Sequence, residues 1–407
     1  MRIALVADVF PPLRSSGAVQ LRDLATEFVR QGYKVTVMVA TPGLDVISKV
    51  DILDGVEVLR LRTLPTRDRG YIWRTLAEFL MPFWMLKGLK QSSLSQRLFD
   101  AVVWYSPTIF LGPFVKMLKR RSQCSTYLII RDIFPEWAWD MGLIRNKFLY
   151  CGFKMVANYG YAQADVVGIQ TRGNRIYFDC WQKRYPNGRV EVLHNWLSKA
   201  ANIGSSIQIS QTKLSGRRIF VYAGNMGVAQ NTELFLKLAE RLKDRQEFGF
   251  LFVGRGSEST ILSNKYGALD NVLFFDEIDS AEIPGLYEQC HVGLVALDAR
   301  HKSHNIPGKF LSYMHAGLPV LACVNAGNDL VRLIEEWQVG TVVDEEQLEL
   351  LQAAELKVIL ASENDLAISI RCRELAHEMF AAESAVNQIV KALEETRCQQ
   401  TATTAMQ

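Results

Sequence analysis

Continuous apolar runs alternate with 3.6-residue apolar stripes along most of the chain. Residues 3–9 form the first run, the pattern of a strand buried on both faces. A loop, FPPLRSSG at 10–17, leads to a helical stripe of Leu21, Leu24, Ala25, Phe28 and Val29. Gly32 ends that helix, and 34–40 supplies a second strand. A β–loop–α–β unit of this kind predicts a parallel sheet with right-handed crossovers. Further runs at 56–61, 101–105, 125–130, 166–170 and 190–193 extend it. The stretch 198–216, polar and rich in Ser and Gly, has the composition of a linker. Beyond it the alternation restarts, with strands at 218–223, 250–253, 272–275 and 292–297 and an amphipathic helix at 232–242. The pattern predicts an α/β chain of two domains, 1–197 and 217–380, joined by 198–216. A last helix is expected near 385–394 and a disordered polar end at 396–407.

The most informative stretch is 305–322, NIPGKFLSYMHAGLPVLA. Pro307 and Gly308 break the preceding chain, and Phe310, Leu311 and Met314 give one apolar face of a short helix. Gly317 caps its end and Pro319 forbids continuation. With Lys309 in its first turn, such a helix is either a site for an anion or an ordinary crossover helix. Two glycine-bearing turns, Gly224-Asn225-Met226-Gly227 and Gly254-Arg255-Gly256, also follow strands. Three such features at one sheet edge argue for a phosphate-bearing ligand. The Ser15–Gly17 segment either approaches that ligand or is a plain βα turn. Asp132, just past the run 125–130, either orients or deprotonates an acceptor hydroxyl, or pairs with Arg131, or caps a helix. His194, a lone histidine after a strand, reads as structural.

The helix expected at 71–90, YIWRTLAEFLMPFWMLKGLK, is dense in Trp, Phe, Leu and Met, with Arg74, Lys87 and Lys90 near its ends. It fits a bilayer interface, aromatics at headgroup level and cations on lipid phosphates, and it equally fits a domain core. The cluster KMLKRR at 116–121 reads as a solvated last helical turn that suits the helix dipole. Net charge of +3, with no basic stripe interleaved with aromatics, argues against nucleic acid as a partner. The 49% hydrophobic and 22% charged content is that of a globular protein. Seven cysteines without a CxxC pair point to a reducing cytosol and to neither a metal site nor a disulfide framework. Asp8 interrupts the first apolar run, so no signal peptide is expected, and no run of 18 apolar residues offers a simple membrane span.

Together FPPLRSSG, GYKVTVMV, RDIFPE, YAGNMGVAQN, FVGRGSE and PGKFLSYMHAGLPVLA carry a family likeness over nearly the whole chain. The chain resembles the retaining nucleotide-sugar glycosyltransferases of family 4, which have the GT-B fold of two facing Rossmann-like domains. The resemblance implies an acceptor-binding domain at 1–197, a donor-binding domain at 217–380, and a terminal helix within 381–407 returning toward the first. RDIFPE and GNMGVAQ look most like transferases of bacterial surface polysaccharide assembly (O-antigen, capsule, exopolysaccharide). Those take a UDP-linked amino or deoxy sugar to an undecaprenyl-diphosphate-linked acceptor at the cytoplasmic membrane face. By the same resemblance the donor diphosphate would meet Gly17 and the turn of Gly224, Asn225 and Gly227. Lys309 would bring positive charge to the leaving phosphate, with Arg255 assisting. The nucleobase would lie along 275–278, beside Asp276, and Asp132 would contact the acceptor. No cofactor and no metal is implied.

One departure stands out. The family carries two glutamates eight positions apart, the second of which usually bonds the donor's ribose; the matching positions here are His304 and Ser312. A weakened or altered donor site is therefore expected, with His304 binding sugar hydroxyls in place of a carboxylate. Two other functions remain compatible with this architecture: a UDP-sugar 2-epimerase, and a catalytically degenerate transferase acting as a binding subunit. A dinucleotide dehydrogenase fits poorly, because no G-x-G-x-x-G follows Val9.

Overall fold

The computed structural model describes every residue except 14, 67–69, 199–201, 299–304, 325–326, 352–365 and 406–407. The chain divides into two compact units, Met1–Trp196 with Ala382–Gln407, and Leu197–Ala381.

The first unit is built on eight strands: β1 (Arg2–Ala7), β2 (Lys34–Pro42), β3 (Ser48–Leu53), β4 (Val56–Thr63), β5 (Ala101–Ser106), β6 (Ser125–Ile130), β7 (Val166–Ile169) and β8 (Arg189–Val192). Their order across the sheet is β3-β4-β2-β1-β5-β6-β7-β8, parallel throughout except for β3, which runs antiparallel to β4. Strands β5 and β6 are buried at every position, which is why they read as unbroken apolar runs. Edge strand β3, SKVDIL, is largely exposed and polar, so no apolar run marks it in the sequence.

The second unit has six parallel strands: β9 (Arg218–Ala223), β10 (Phe248–Val253), β11 (Val272–Phe275), β12 (Val292–Ala296), β13 (Val320–Cys323) and β14 (Gly340–Val343). Their order is β11-β10-β9-β12-β13-β14, the doubly wound arrangement with a reversal of strand order between β9 and β12. The first sheet reverses in the same way between β1 and β5. Each unit is thus Rossmann-like, and each has a crevice position beyond the carboxyl ends of its two central strands.

Two expectations change. Within the stretch expected as a linker, 198–216, the described residues 202–216 pack on the second unit: Ile207, Ile209 and Leu214 are buried in its core, and 199–201 lie outside the described residues. The stretch's serines set its composition, but its few apolar residues set the packing. Of the end expected to be disordered, 396–407, residues 396–405 are helical, the last part of one helix Ala382–Ala405, and 406–407 lie outside the described residues. That segment lacks Gly and Pro and extends a helix already held by packing, and propagation costs far less than nucleation. Its apolar face, with Val386, Ile389 and Leu393, is buried in one core with Leu21 and Phe28 of the helix Ser16–Arg30.

The C-terminal helix is therefore part of the first unit's core. Ile389→Ala, at a fully buried position, should cost about 2–4 kcal/mol. Lys391→Ala, on the exposed face of the same helix, should stay within about 0.5 kcal/mol. Urea unfolding midpoints of the two variants check this; equal midpoints would detach the helix from the core.

Candidate active site

At the carboxyl edge of the second sheet, two turns pack backbone against backbone. Gly224, after β9, has φ +138°, and Gly254 and Gly256, after β10, have φ +144° and +157°. A Cβ on Gly254 would stand 2.1 Å from the Gly224 carbonyl oxygen, and one on Gly256 would stand 2.1 Å from that of Met226. Only glycine tolerates either the dihedral or the approach. The amides of Gly224 and Met226 donate to Val253 O (2.9 Å) and Arg255 O (2.8 Å). The Gly227 amide and the Asn225 side-chain amide both donate to Gln230 Oε1, at 3.2 and 3.0 Å. This turn is therefore a rigid floor whose own donors are largely engaged.

The free donors come from the helix Gly308–Ala316, which enters the same edge after β12. Pro307 stands at its N-cap and offers no side-chain acceptor. Phe310 N donates to Pro307 O at 3.0 Å, and no described acceptor takes the Gly308 and Lys309 amides. Gly317 ends the helix at φ +76°, as the sequence anticipates. Phe310, Leu311, Tyr313 and Met314 are buried beneath it, and Tyr313 Oη donates to Val221 O at 3.0 Å. These contacts fix the direction of the helix and hence of its N-terminus.

Lys309 lies over the Tyr222 ring, with Nζ 3.7 Å from the ring centroid, and donates to Tyr222 Oη. Tyr222 in turn donates to Asn225 O at 2.6 Å, linking the lysine to the glycine turn. No carboxylate pairs with Lys309 among the described residues, and burial pushes its ammonium down to about 7. Burial also raises the Tyr222 hydroxyl well above its ordinary value, so the tyrosine stays neutral. The result is a cation of adjustable charge, beside two unengaged helix amides and one exposed, glycine-built floor. Such a group suits a ligand that supplies negative charge.

Around this point the other expected donor residues are spread. Arg255 lies on the second glycine turn but is largely exposed and pairs with Glu277 at 3.0 Å. Asp276 is exposed just beyond β11. Ser312, one turn into the helix, turns its hydroxyl back onto Gly308 O at 3.3 Å. His304 lies outside the described residues.

Gly17 and Asp132 belong to the first unit, at the carboxyl edge of its sheet. Ser15 caps the helix by accepting from Ala18 N at 3.3 Å. A Cβ on Gly17 would stand 3.0 Å from Tyr105 Oη, so close packing on Tyr105 already accounts for a glycine there. Tyr105 donates to Gln20 Oε1 at 3.4 Å, and burial pushes its hydroxyl up to about 12 with Arg131 opposing. The Arg131 guanidinium lies 6.0 Å from the Tyr105 ring, and its carbonyl accepts from Gln170 Nε2 at 2.5 Å. Asp132 is exposed beside it, on the rim.

Sequence reasoning missed Tyr222, Gln230 and Tyr105, all of which act on the elements it did single out. A tyrosine one residue before a strand's end and its glycine turn is the signal for Tyr222; Gln230 and Tyr105 leave none.

A family profile described as "Glycosyl transferases group 1" matches residues 217–360. Among relatives, the chain is 24% identical over 278 residues to a probable glycosyltransferase, WbjE, of Pseudomonas aeruginosa, covering 66% of this chain and 67% of that one. It is 22% identical over 316 residues to a putative colanic acid biosynthesis glycosyl transferase, WcaI, of Escherichia coli K12, covering 72% and 73%. Among solved structures, sucrose-phosphate synthase from Thermosynechococcus elongatus superimposes with a TM-score of 0.70 at 14% identity, over 98% of this chain and 99% of that one. Anabaena HepE in complex with UDP-glucose does so with 0.65 at 13% identity, over 97% and 99%. The chain has the GT-B fold, and the glycosyl transferases group 1 profile matched in its second unit, together with these relatives, supports a glycosyltransferase.

Proposed function

We propose that the protein is a retaining glycosyltransferase of cell-surface polysaccharide assembly. It moves a sugar, a UDP-linked amino or deoxy sugar, to an undecaprenyl-diphosphate-linked acceptor at the cytoplasmic face of the membrane. The observation that carries the donor half is Lys309, a desolvated cation that no carboxylate pairs with among the described residues, in the first turn of its helix. The likeness to WcaI, described as a colanic acid biosynthesis glycosyl transferase, and to HepE, solved with UDP-glucose, supports the substrate classes.

In the transfer, the bond from the anomeric carbon to the nucleoside diphosphate breaks. An acceptor oxygen bonds to that carbon on the same face, and the acceptor's proton leaves toward the departing phosphate. Charge develops on that phosphate, and in this reading Lys309 and the amides of Gly308 and Lys309 meet it there, stabilising the transition state more than the ground state. Asp132 contacts the acceptor from the first unit, and Arg255 lends charge at the donor's edge. The reading assigns no step to a metal.

Lys309 sets the sign of the pH dependence. A bound diphosphate raises the lysine's pKa above its free value of about 7, so binding above neutral pH takes up a proton. UDP affinity should be full near pH 7 and fall by up to about tenfold per unit toward pH 8.5. Lys309→Met should weaken binding at pH 7 about 10- to 100-fold, the scale of a lost charge-assisted hydrogen bond, and flatten the profile. Calorimetry in buffers of different ionisation heat checks both; an unchanged affinity and profile in Lys309→Met would remove the lysine from the donor site.

Tyr222→Phe keeps the ring but removes the oxygen that accepts from the ammonium. The charged form loses a partner, so the midpoint of the same pH profile should move down, with the affinity at pH 7 lower by about threefold to tenfold. A donor screen with membrane lipid extract, read by product mass, tests the reaction itself. Sugar transfer to a polyprenyl-linked product is expected; nucleotide binding without any transfer would favour a binding subunit instead, and turnover of UDP-sugar without acceptor an epimerase.

A further inference from the structure

The helix Tyr71–Lys90 is apolar on two opposite faces. Ala77, Met81, Met85 and Leu89 are buried in the first unit's core. Ile72, Leu76, Phe79 and Phe83, spaced four, three and four residues apart, face solvent at 88%, 47%, 50% and 51% exposure. A helix that only served the core would carry polar residues there. The same spacing recurs on the helix Lys147–Tyr161, where Phe148, Gly152, Met155 and Tyr159 form an exposed stripe, Phe148 at 88% and Met155 at 72%.

Both striped helices pack on the segment that follows β5. Phe79 packs edge-on against Phe110, with ring centroids 6.3 Å apart. Two residues later, a Cβ on Gly112 would stand 3.1 Å from the Tyr159 ring and 3.0 Å from Gly160 Cα. Phe110 and Gly112 lie in the segment that leaves β5 at the carboxyl edge of the first sheet. The helix Gly112–Ser122 therefore runs between the two striped helices and packs against both.

Charge accompanies the apolar surface. The three helices together carry nine Lys and Arg residues and a single acid, Glu78; Arg74, Lys119 and Lys154 pair with Glu78, Asp165 and Glu136, and the other six have no ion pair among the described residues. Lys87 and Lys90 continue the first stripe at its end, and Lys116 lies 5.2 Å from the Tyr159 ring centroid. The whole chain, by contrast, has a net charge of only +3. Exposed aromatics flanked by cations suit one occupant above others, a bilayer whose headgroups are anionic.

We propose that the stripes of Tyr71–Lys90 and Lys147–Tyr161 form one docking surface on the first unit for an anionic lipid bilayer, ending at the carboxyl edge of its sheet. The surface gives the lipid-linked acceptor of the proposed reaction a route to that edge, and its purpose rests on that reading. Its existence does not.

The test is flotation of the full-length chain with vesicles of phosphatidylcholine alone and with 30% phosphatidylglycerol. The native chain should float with the anionic vesicles and at least tenfold less with the neutral ones. The double variants Ile72→Ser/Phe83→Ser and Phe148→Ser/Met155→Ser should each lower binding by about tenfold or more. Lys87→Glu/Lys90→Glu should abolish the preference for anionic lipid. Every variant should keep the native near-ultraviolet circular dichroism and urea midpoint, which shows that the first unit still folds. A native chain that ignores anionic vesicles, or stripe variants that bind like the native chain, would overturn the surface. So would variants that only convert an oligomer to a monomer, which would make a second copy the occupant. Vesicle binding without sugar transfer to lipid extract would instead overturn the proposed function and leave the surface standing.

Discussion

A desolvated cation without a counter-charge is the interaction from which the second unit's site is best understood. Lys309 is held against the Tyr222 ring and hydroxyl, with no carboxylate paired to it among the described residues, and burial brings its pKa to about 7. Tyr222 spends its own proton on Asn225 O, so the lysine is bound to the glycine turn through one rigid side chain. The arrangement is costly for the empty protein, because the charged form has lost water and gained only a ring quadrupole and one oxygen. An anion at the adjacent helix N-terminus removes that cost. The site's preference for negative charge is thus built into its unliganded structure.

The placement of that lysine follows from topology. In both sheets the strand order reverses between two central strands, β1 and β5 in the first and β9 and β12 in the second. Chain leaving neighbouring central strands in opposite directions opens a crevice at the carboxyl ends. In the second unit the crevice is floored by turns that only glycine can form, since Gly254 and Gly256 would otherwise collide with the carbonyls of Gly224 and Met226. In the first unit the equivalent position is filled by Tyr105, packed on Gly17 and tied to Gln20. The same frame therefore presents charge in one unit and an aromatic, hydrogen-bonded floor in the other.

What was legible in the sequence follows from which physical signals are local. Buried parallel strands announce themselves as apolar runs, so β6, β9 and β11 begin and end where the pattern says. Strand β3 pairs at an edge and buries little, so only its partner β4 defines it. The helix Lys147–Tyr161 hides because apolar residues lie on its exposed as well as its buried side, which blurs any single stripe. The terminal helix ran longer than expected because its stability comes from the packed segment before it. In the site, the glycine turns were readable from their positions just after strands, and Lys309 from its place in the first turn of a helix that Pro307 and Gly308 announce. Tyr222 and Gln230 were not, because a buried tyrosine reads as core and a glutamine reads as surface until the turn they brace is seen.

Ser312 gains its meaning from Lys309. The two lie three residues apart on one helix, a spacing that puts side chains on neighbouring turns of the same face. A carboxylate at 312 would stand beside the ammonium and hold it charged, raising its pKa whether or not a ligand were present. Serine supplies no charge, and its hydroxyl is occupied by Gly308 O. The charge state of Lys309 is therefore left to burial and to whatever anion comes beside it, where a carboxylate at 312 would have held the ammonium charged.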